Sequence, residues 1–186
     1  MPVLMVLAGP SGTGKGTVGR ELRAREPELW FSVSANTRAP RADEVDGRDY
    51  RFMSRDEFEV LRDADGFLEW FDVYGDLKGT PRAPVEEHLA AGDDVLLEID
   101  VQGALKVKAE FPDALLVFLK PPSREEQQRR IAARGDADPA DVQRRLEAAA
   151  REEAMIDRFD AVVVNDDVDA AVAEVAGILS VRRAAG

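Results

Sequence analysis

Cysteine is absent from the 186-residue chain, which excludes a disulfide framework and a thiolate metal site. No run of 18 apolar residues occurs, so no membrane-spanning helix is expected. The first residues read as a strand rather than a secretory leader, and the cytoplasm is the expected compartment. Positive charge is scarce: 25 Lys and Arg stand against 37 Asp and Glu, for a net charge of −12. That balance argues against nucleic acid or an anionic membrane surface as a partner. It leaves a nucleotide substrate open, because arginines can be gathered locally in an acidic protein. The single histidine, His88, falls in a short helical stretch and is assigned no role. What is present is globular. Hydrophobic residues make up 45% and charged residues 33%, at a length that suits one domain with a real core. There is no internal repeat or low-complexity segment, and nothing specifies an oligomeric state.

Glycine is concentrated in one place, Gly9-Pro10-Ser11-Gly12-Thr13-Gly14-Lys15-Gly16-Thr17. Before it runs Val3-Leu4-Met5-Val6-Leu7-Ala8, apolar without polar alternation, as a strand buried on both faces would be. After it comes a helical pattern with Val18 and Leu22 on one face. Strand, glycine-rich turn, lysine and helix is the order of a phosphate-binding loop. Glycines let successive backbone N–H groups turn inward. The helix start adds unsatisfied donors and a positive dipole end, and Lys15 adds a full charge for the β- and γ-phosphates of a nucleotide. The spacing G-x-x-x-x-G-K is met by Gly9, Gly14 and Lys15. The next position, where Ser or Thr ordinarily ligates Mg²⁺, is Gly16. Thr17 lies about 100° further round the helix and does not take that place. Mg²⁺ is therefore expected to be held mainly by the phosphates, by water and by an acidic residue elsewhere.

The rest of the chain alternates strands and helices. A first helix is predicted over 14–26, stopped by Pro27, then a strand Trp30–Ser34. Residues 35–41 are aperiodic and 42–49 are turn-rich. A short strand Tyr50–Met53 precedes a helix capped by Ser54, with Glu57 completing a capping box and Phe58 and Leu61 on its apolar face. Phe67–Tyr74 reads as an exposed strand, Gly75–Gly79 as a turn, and Pro84–Ala91 as a helix closed by Gly92. Buried strands follow at Asp94–Asp100, Leu115–Leu119 and Ala161–Val164. Helices are predicted over Gly103–Glu110, from Ser123 to about Arg134 with Glu126 at the capping-box position, over Ala140–Arg158, and through Val168, Val172, Val175 and Leu179. This rhythm gives an α/β fold of the P-loop NTPase type, a parallel sheet with helices on both faces. Two segments depart from it, 32–92 and 123–158. They read as moving insertions in a single domain whose core is 1–31, 93–122 and 159–186.

Several motifs in order make the chain resemble a guanylate kinase, within the P-loop nucleoside monophosphate kinases, over nearly its whole length. They are Gly9 to Thr17, Ser32-Val33-Ser34, Thr37-Arg38-Ala39-Pro40-Arg41, Glu44 to Tyr50, Phe67-Leu68-Glu69-Trp70, Gly79-Thr80, Ile99-Asp100-Val101-Gln102-Gly103, Ala133-Arg134-Gly135 and Val164-Asn165-Asp166-Asp167. The resemblance implies transfer of the γ-phosphoryl of ATP to GMP, with Mg²⁺ accompanying ATP. It implies ATP on residues 9–17 with Arg134 and Asn165, and GMP on Ser34, Arg38, Arg41, Tyr50, Glu69, Lys78, Thr80 and Asp100. Lys15, Arg38, Arg130, Arg134 and Arg145 would carry the phosphoryl charge, and Asp100 would hold the metal through water.

Those residue types suit the chemistry. Arg38 and Arg41 offer bidentate forks to a phosphate; R-x-x-R alone reads rather as a solvated surface pair, and the Thr37 and Tyr50 context with the resemblance reverses that. A carboxylate accepts from both N1–H and N2 of guanine and is left unpaired by adenine, which suits Glu69; taken alone, Glu69 is an ordinary strand carboxylate facing water. A site of this kind rejects the wrong base by roughly 10⁴ or more. Two positions depart from the family pattern. Glu98, on the same strand face as Asp100, stands where Asp is usual. Lys78 stands where a tyrosine hydroxyl usually meets the GMP phosphate, and it is expected to contact that phosphate when the site closes. The GMP phosphate is already an anionic nucleophile, so no catalytic base is assigned. Two other readings remain: a kinase for another phosphorylated acceptor, kept open by Gly16 and Lys78, and a non-catalytic peptide-binding module, which the intact loop and lid arginines oppose.

Overall fold

A computed structural model of the chain describes residues 1–42, 44–73, 75–133 and 139–185. In chain order the elements are β1 (Leu4–Ala8), α1 (Lys15–Arg25), β2 (Trp30–Phe31), β3 (Ala35–Asn36), β4 (Arg51–Phe52), α2 (Arg55–Asp63), β5 (Phe67–Val73), β6 (Asp76–Pro81), α3 (Arg82–Ala91), β7 (Val95–Glu98), α4 (Val101–Glu110), β8 (Leu115–Lys120), α5 (Arg124–Ala132), α6 (Pro139–Glu153), β9 (Ala161–Val164) and α7 (Val168–Ala185).

β1 is buried along its whole length because helices cover both of its faces. On one side Met5 and Leu7 pack with Val18 and Leu22 of α1 and with Val172, Val175 and Leu179 of α7. On the other, Leu4 and Val6 pack with Val85 of α3 and with Ala104 and Val107 of α4. Each such side chain contributes on the order of 2 kcal/mol by leaving water. Around β1 the central sheet runs β2-β7-β1-β8-β9, and all of its pairings are parallel. The chain leaves β1, skips a place to β2, and later returns through β7 beside β1. The carboxyl ends of β1 and β7 therefore lie next to each other at a switch point, where parallel sheets take their ligands.

A second sheet, β4-β3-β6-β5, is built entirely from the segment that broke the rhythm. Here the structure corrects the predicted elements. Gly75–Gly79 is not a turn: the chain reverses at Gly75, where φ is 92°, and Asp76–Pro81 forms the inner strand β6. Gly79 faces both Ala35 and Trp70, and a Cβ there would come within 2.9 Å of the Trp70 Cβ. The glycine marks close strand approach, not reversal. Nor is the predicted strand Phe67–Tyr74 exposed at its start, since Phe67, Leu68 and Glu69 are all buried; Tyr74 lies outside the described residues. Residues 35 and 36, read as aperiodic, form β3.

Other boundaries shift for local reasons. Ser54 and Glu57 do form the capping box. Ser123 accepts from the Glu126 N–H, but the Glu126 carboxylate pairs with Arg129 and Arg130 instead of returning the bond. Asp100 caps α4 two residues earlier than predicted. α6 ends at Glu153, and a short 3₁₀ turn covers Ile156–Arg158.

Candidate active site

Gly14 closes the loop onto α1 in the left-handed region, φ 84° and ψ 22°, where residues other than glycine are strained. No side chain caps α1, so its leading N–H groups remain for an anion. The loop carbonyls are tied down from three directions. The Thr13 hydroxyl donates to Pro10 O at 3.0 Å, Gln127 Nε2 of α5 donates to Ser11 O at 3.0 Å, and Asn165 Nδ2 donates to Thr13 O at 2.7 Å. The loop is therefore arranged before any phosphate arrives, which is the condition for electrostatic preorganisation. Lys15 Nζ folds back onto the carbonyls of Gly9 and Pro10. Burial lowers its pKa, and the negative charges of Glu98 and Glu152 oppose that shift.

In front of the loop opens a cleft of about 710 Å³. Its floor is the loop with Glu98 and Asp100 at the end of β7. Its far wall is the second sheet, with Arg38, Arg41, Tyr50, Asp76 and Lys78, and α6 closes a third side with Arg145 and Glu152. Of the residues singled out in the sequence, the structure brings to one cavity the loop up to Gly16, Arg38, Arg41, Tyr50, Lys78, Asp100 and Arg145. Thr17 instead lines a separate cavity of about 310 Å³ on the other side of the loop, together with Gly12, Gly14, Arg130 and Asn165. There Arg130 donates from Nε to Glu126 at 2.8 Å and from Nη1 to the carbonyl of Asn165 at 3.1 Å. Arg134 lies outside the described residues.

Arg38 already holds an anion. Its two terminal nitrogens fork onto Glu44 at 2.6 and 2.5 Å, and Glu44 also accepts from the Arg41 N–H at 2.8 Å. The bidentate hydrogen bond holds the Glu44 carboxyl below its ordinary pKa and raises that of Arg38. Glu44 thus fixes the Arg38 guanidinium and the Arg41 backbone. Lys78 Nζ sits 5.2 Å from the Tyr50 ring centre, on the same wall.

Glu69, Thr80 and Ser34 are buried and do not line the cleft. The reading of Glu69 as a carboxylate facing water is therefore wrong: it is 5% exposed. Thr80 Oγ1 donates to its Oε1 at 2.5 Å, and Oε2 lies against α4, where a Cβ on Gly103 would stand 3.1 Å away. Burial above all, with the Asp100 charge adding to it, pushes the Glu69 pKa up to about 7. The unfolded chain therefore gives up this proton first, and the contribution to stability falls as pH rises from about 4.5 to about 7. Glu69→Gln, neutral at every pH, is expected to remove that slope. It should be more stable than the native chain at pH 8 by about 3 kcal/mol and close to it at pH 4.5. Urea unfolding at the two pH values checks this; an unchanged pH dependence would place the ionisation elsewhere.

For a metal, the donors are oxygen atoms only. Among the described residues no three His, Cys, Asp or Glu side chains converge to hold an ion by themselves. A small hard cation that keeps its waters and binds one or two carboxylates plus phosphates fits such a floor. Asp100 is fixed in it, its Oδ1 accepting the Gly103 N–H at 2.7 Å.

Sequence reasoning gave no role to Glu44, Gln127 or Glu152. Glu44 stood in a quoted motif. Gln127 carried a signal: it shares a helix face with Ile131, and both are fully buried. Nothing marked Glu152, which the last turn of α6 brings to the cleft.

With this geometry in place, the relatives are informative. The family model described as guanylate kinase matches residues 1–182. The chain is 54% identical over 176 residues to a guanylate kinase of Gloeobacter violaceus, covering 95% of this chain and 86% of the relative. It is 55% identical over 170 residues to one of Nocardia farcinica, covering 90% and 88%. A crystal structure of guanylate kinase from Anaplasma phagocytophilum superposes with a TM-score of 0.80 at 33% identity, covering 97% of this chain and 85% of that one.

Proposed function

The chain belongs to the guanylate kinase family and phosphorylates GMP to GDP with ATP; from that premise we propose how its residues divide the work. One observation carries the reading: a single cleft brings the loop and Lys15 face to face with Arg38, Arg41, Tyr50 and Lys78. ATP lies on residues 9–17 with its β- and γ-phosphates against the loop N–H groups and Lys15, and its base toward Asn165. GMP lies on the second sheet. Arg38, Arg41, Tyr50 and Lys78 take its phosphate. Glu69, steadied by Thr80, reads the base, and Ser34 and Asp100 support it.

A phosphate oxygen of GMP attacks the γ-phosphorus in line. The bond to the β,γ-bridging oxygen breaks, and its electron pair leaves with ADP. Little covalent chemistry falls to the protein, so positioning and charge neutralisation carry the rate. Lys15, Arg38 and Arg145 are the cations placed for it, joined by Arg130 and Arg134 as 123–158 folds over. Bound with ATP, Mg²⁺ would supply further charge neutralisation, and Asp100 would hold it through water. Residues 1–31, 93–122 and 159–186 act as the fixed core. Segments 32–92 and 123–158 close over the substrates and exclude water. The cytoplasm, where ATP and GMP are available, is the compartment this reading requires.

The test is ADP formation from ATP and Mg²⁺ with GMP, AMP, CMP, UMP or a ribose phosphate supplied one at a time. GMP alone should turn over strongly, and comparable turnover with another acceptor would overturn the assignment of the second sheet. In the same assay Lys78→Met should raise the KM for GMP about tenfold, the worth of one charge-assisted hydrogen bond. An unchanged KM would remove Lys78 from the site.

A further inference from the structure

Glu98 ends β7 beside the phosphate loop, paired in register with Leu7 of β1. Its carboxylate lies along α1, where two glycines leave room for it. A Cβ on Gly16 would stand 3.5 Å from Glu98 Oε1, and one on Gly19 would stand 2.7 Å from Oε2. Residues three apart share a helix face. Glycine inside a helix costs stability, so two on one face need a reason. The carboxylate supplies it at position 19, where a side chain would push it away; at position 16 a Cβ would stand in ordinary contact with it.

In phosphate loops of this type the residue after the lysine gives Mg²⁺ a hydroxyl, and Gly16 has none. Two oxygens on one Mg²⁺, each bound at about 2.0–2.1 Å, lie about 3 Å apart. Glu98 Oε1, 3.5 Å from the place of a residue-16 Cβ, is within reach of the ion such a hydroxyl would bind. Resting on the reading of ATP at the loop, we propose that Glu98 is a direct ligand of the ATP-bound Mg²⁺ and fills the place of the missing loop hydroxyl. Gly16 and Glu98 are then one device: the longer carboxylate reaches to the edge of the space that a serine side chain would occupy. Asp100, tied through Oδ1 to the start of α4, keeps the outer, water-mediated position.

The test uses Mn²⁺ as a paramagnetic substitute for Mg²⁺ and the imido analogue of ATP, which does not transfer its phosphoryl group. Paramagnetic resonance titration gives the Mn²⁺ affinity of the protein–nucleotide complex, and nucleotide affinity without metal is measured alongside. Glu98→Gln should weaken Mn²⁺ binding by about 10–100-fold, with metal-free nucleotide affinity kept within about threefold. Adding Gly16→Ser to Glu98→Gln should return most of the loss, because the hydroxyl restores an oxygen. Gly19→Ala, which displaces the carboxylate without altering its charge, should weaken Mn²⁺ binding in the same direction. Native Mn²⁺ affinity in folded Glu98→Gln overturns the assignment, as does a Gly16→Ser addition that restores nothing. Absence of nucleotide binding by the native chain would overturn the ATP site itself, and this ligand with it.

Discussion

Glu69→Ala is expected to lower kcat/KM for GMP by about 10⁴, with the KM for ATP near its native value. The size follows from where the side chain lies. Glu69 is buried, one oxygen takes the Thr80 hydroxyl, and the other rests on the close approach that Gly103 allows. Removing it strands the Thr80 donor and leaves guanine's N1–H and N2 amine without an acceptor in a place that water reaches poorly. A buried donor without a partner costs its full desolvation, so the loss exceeds that of a surface carboxylate. The variant should also lose preference: its ratio of GMP to AMP turnover should collapse toward unity. Steady-state rates with both acceptors measure this, and a variant that kept its GMP preference would show that the base is read elsewhere.

Arg38→Ala is expected to raise the KM for GMP by about 10²–10³ and to lower kcat as well, while ATP analogue affinity stays native. The loss is compound. The guanidinium that would meet the acceptor phosphate is gone, and the Glu44 carboxylate that it held at 2.5 Å is released as an unpaired negative charge into the same wall. That charge repels an anionic substrate, so Arg38→Ala should be worse than the double variant Arg38→Ala/Glu44→Ala. GMP titrations of the two variants make the comparison. Equal GMP affinity in the native and Arg38→Ala chains would remove the phosphate from this wall altogether.

The central sheet was legible because its strands are uniform. Val3–Ala8 and Leu115–Leu119 carry no polar residue, and only a strand covered on both sides tolerates that. The loop was legible because its spacing and its context agreed. The second sheet was not. β3 and β4 are two residues each, too short for any period. In β6, the stretch Gly75–Gly79 looked like a turn because it begins and ends in glycine, yet Gly79 is there to let strands approach and Lys78 beside it faces the cleft. Glu69 was legible as a base reader only through resemblance. Its burial depends on Thr80 and Gly103, which lie 11 and 34 residues away and carry no local mark. The relation of Gly16 to Glu98 is of the same kind: each looked like a separate departure until the sheet set β7 beside β1.

If residues 123–158 close over the nucleotide as a lid, as proposed, the hydrogen bond from Gln127 to Ser11 couples that closure to the loop. It fastens the first turns of α5 to the loop, so those turns move with the loop, and any swing of the following residues pivots beyond Gln127. Loop and lid then share one free-energy surface. Whatever amount ATP contributes to closing the lid, a closed lid must return in tighter hold on ATP, because linkage between two sites is equal in both directions.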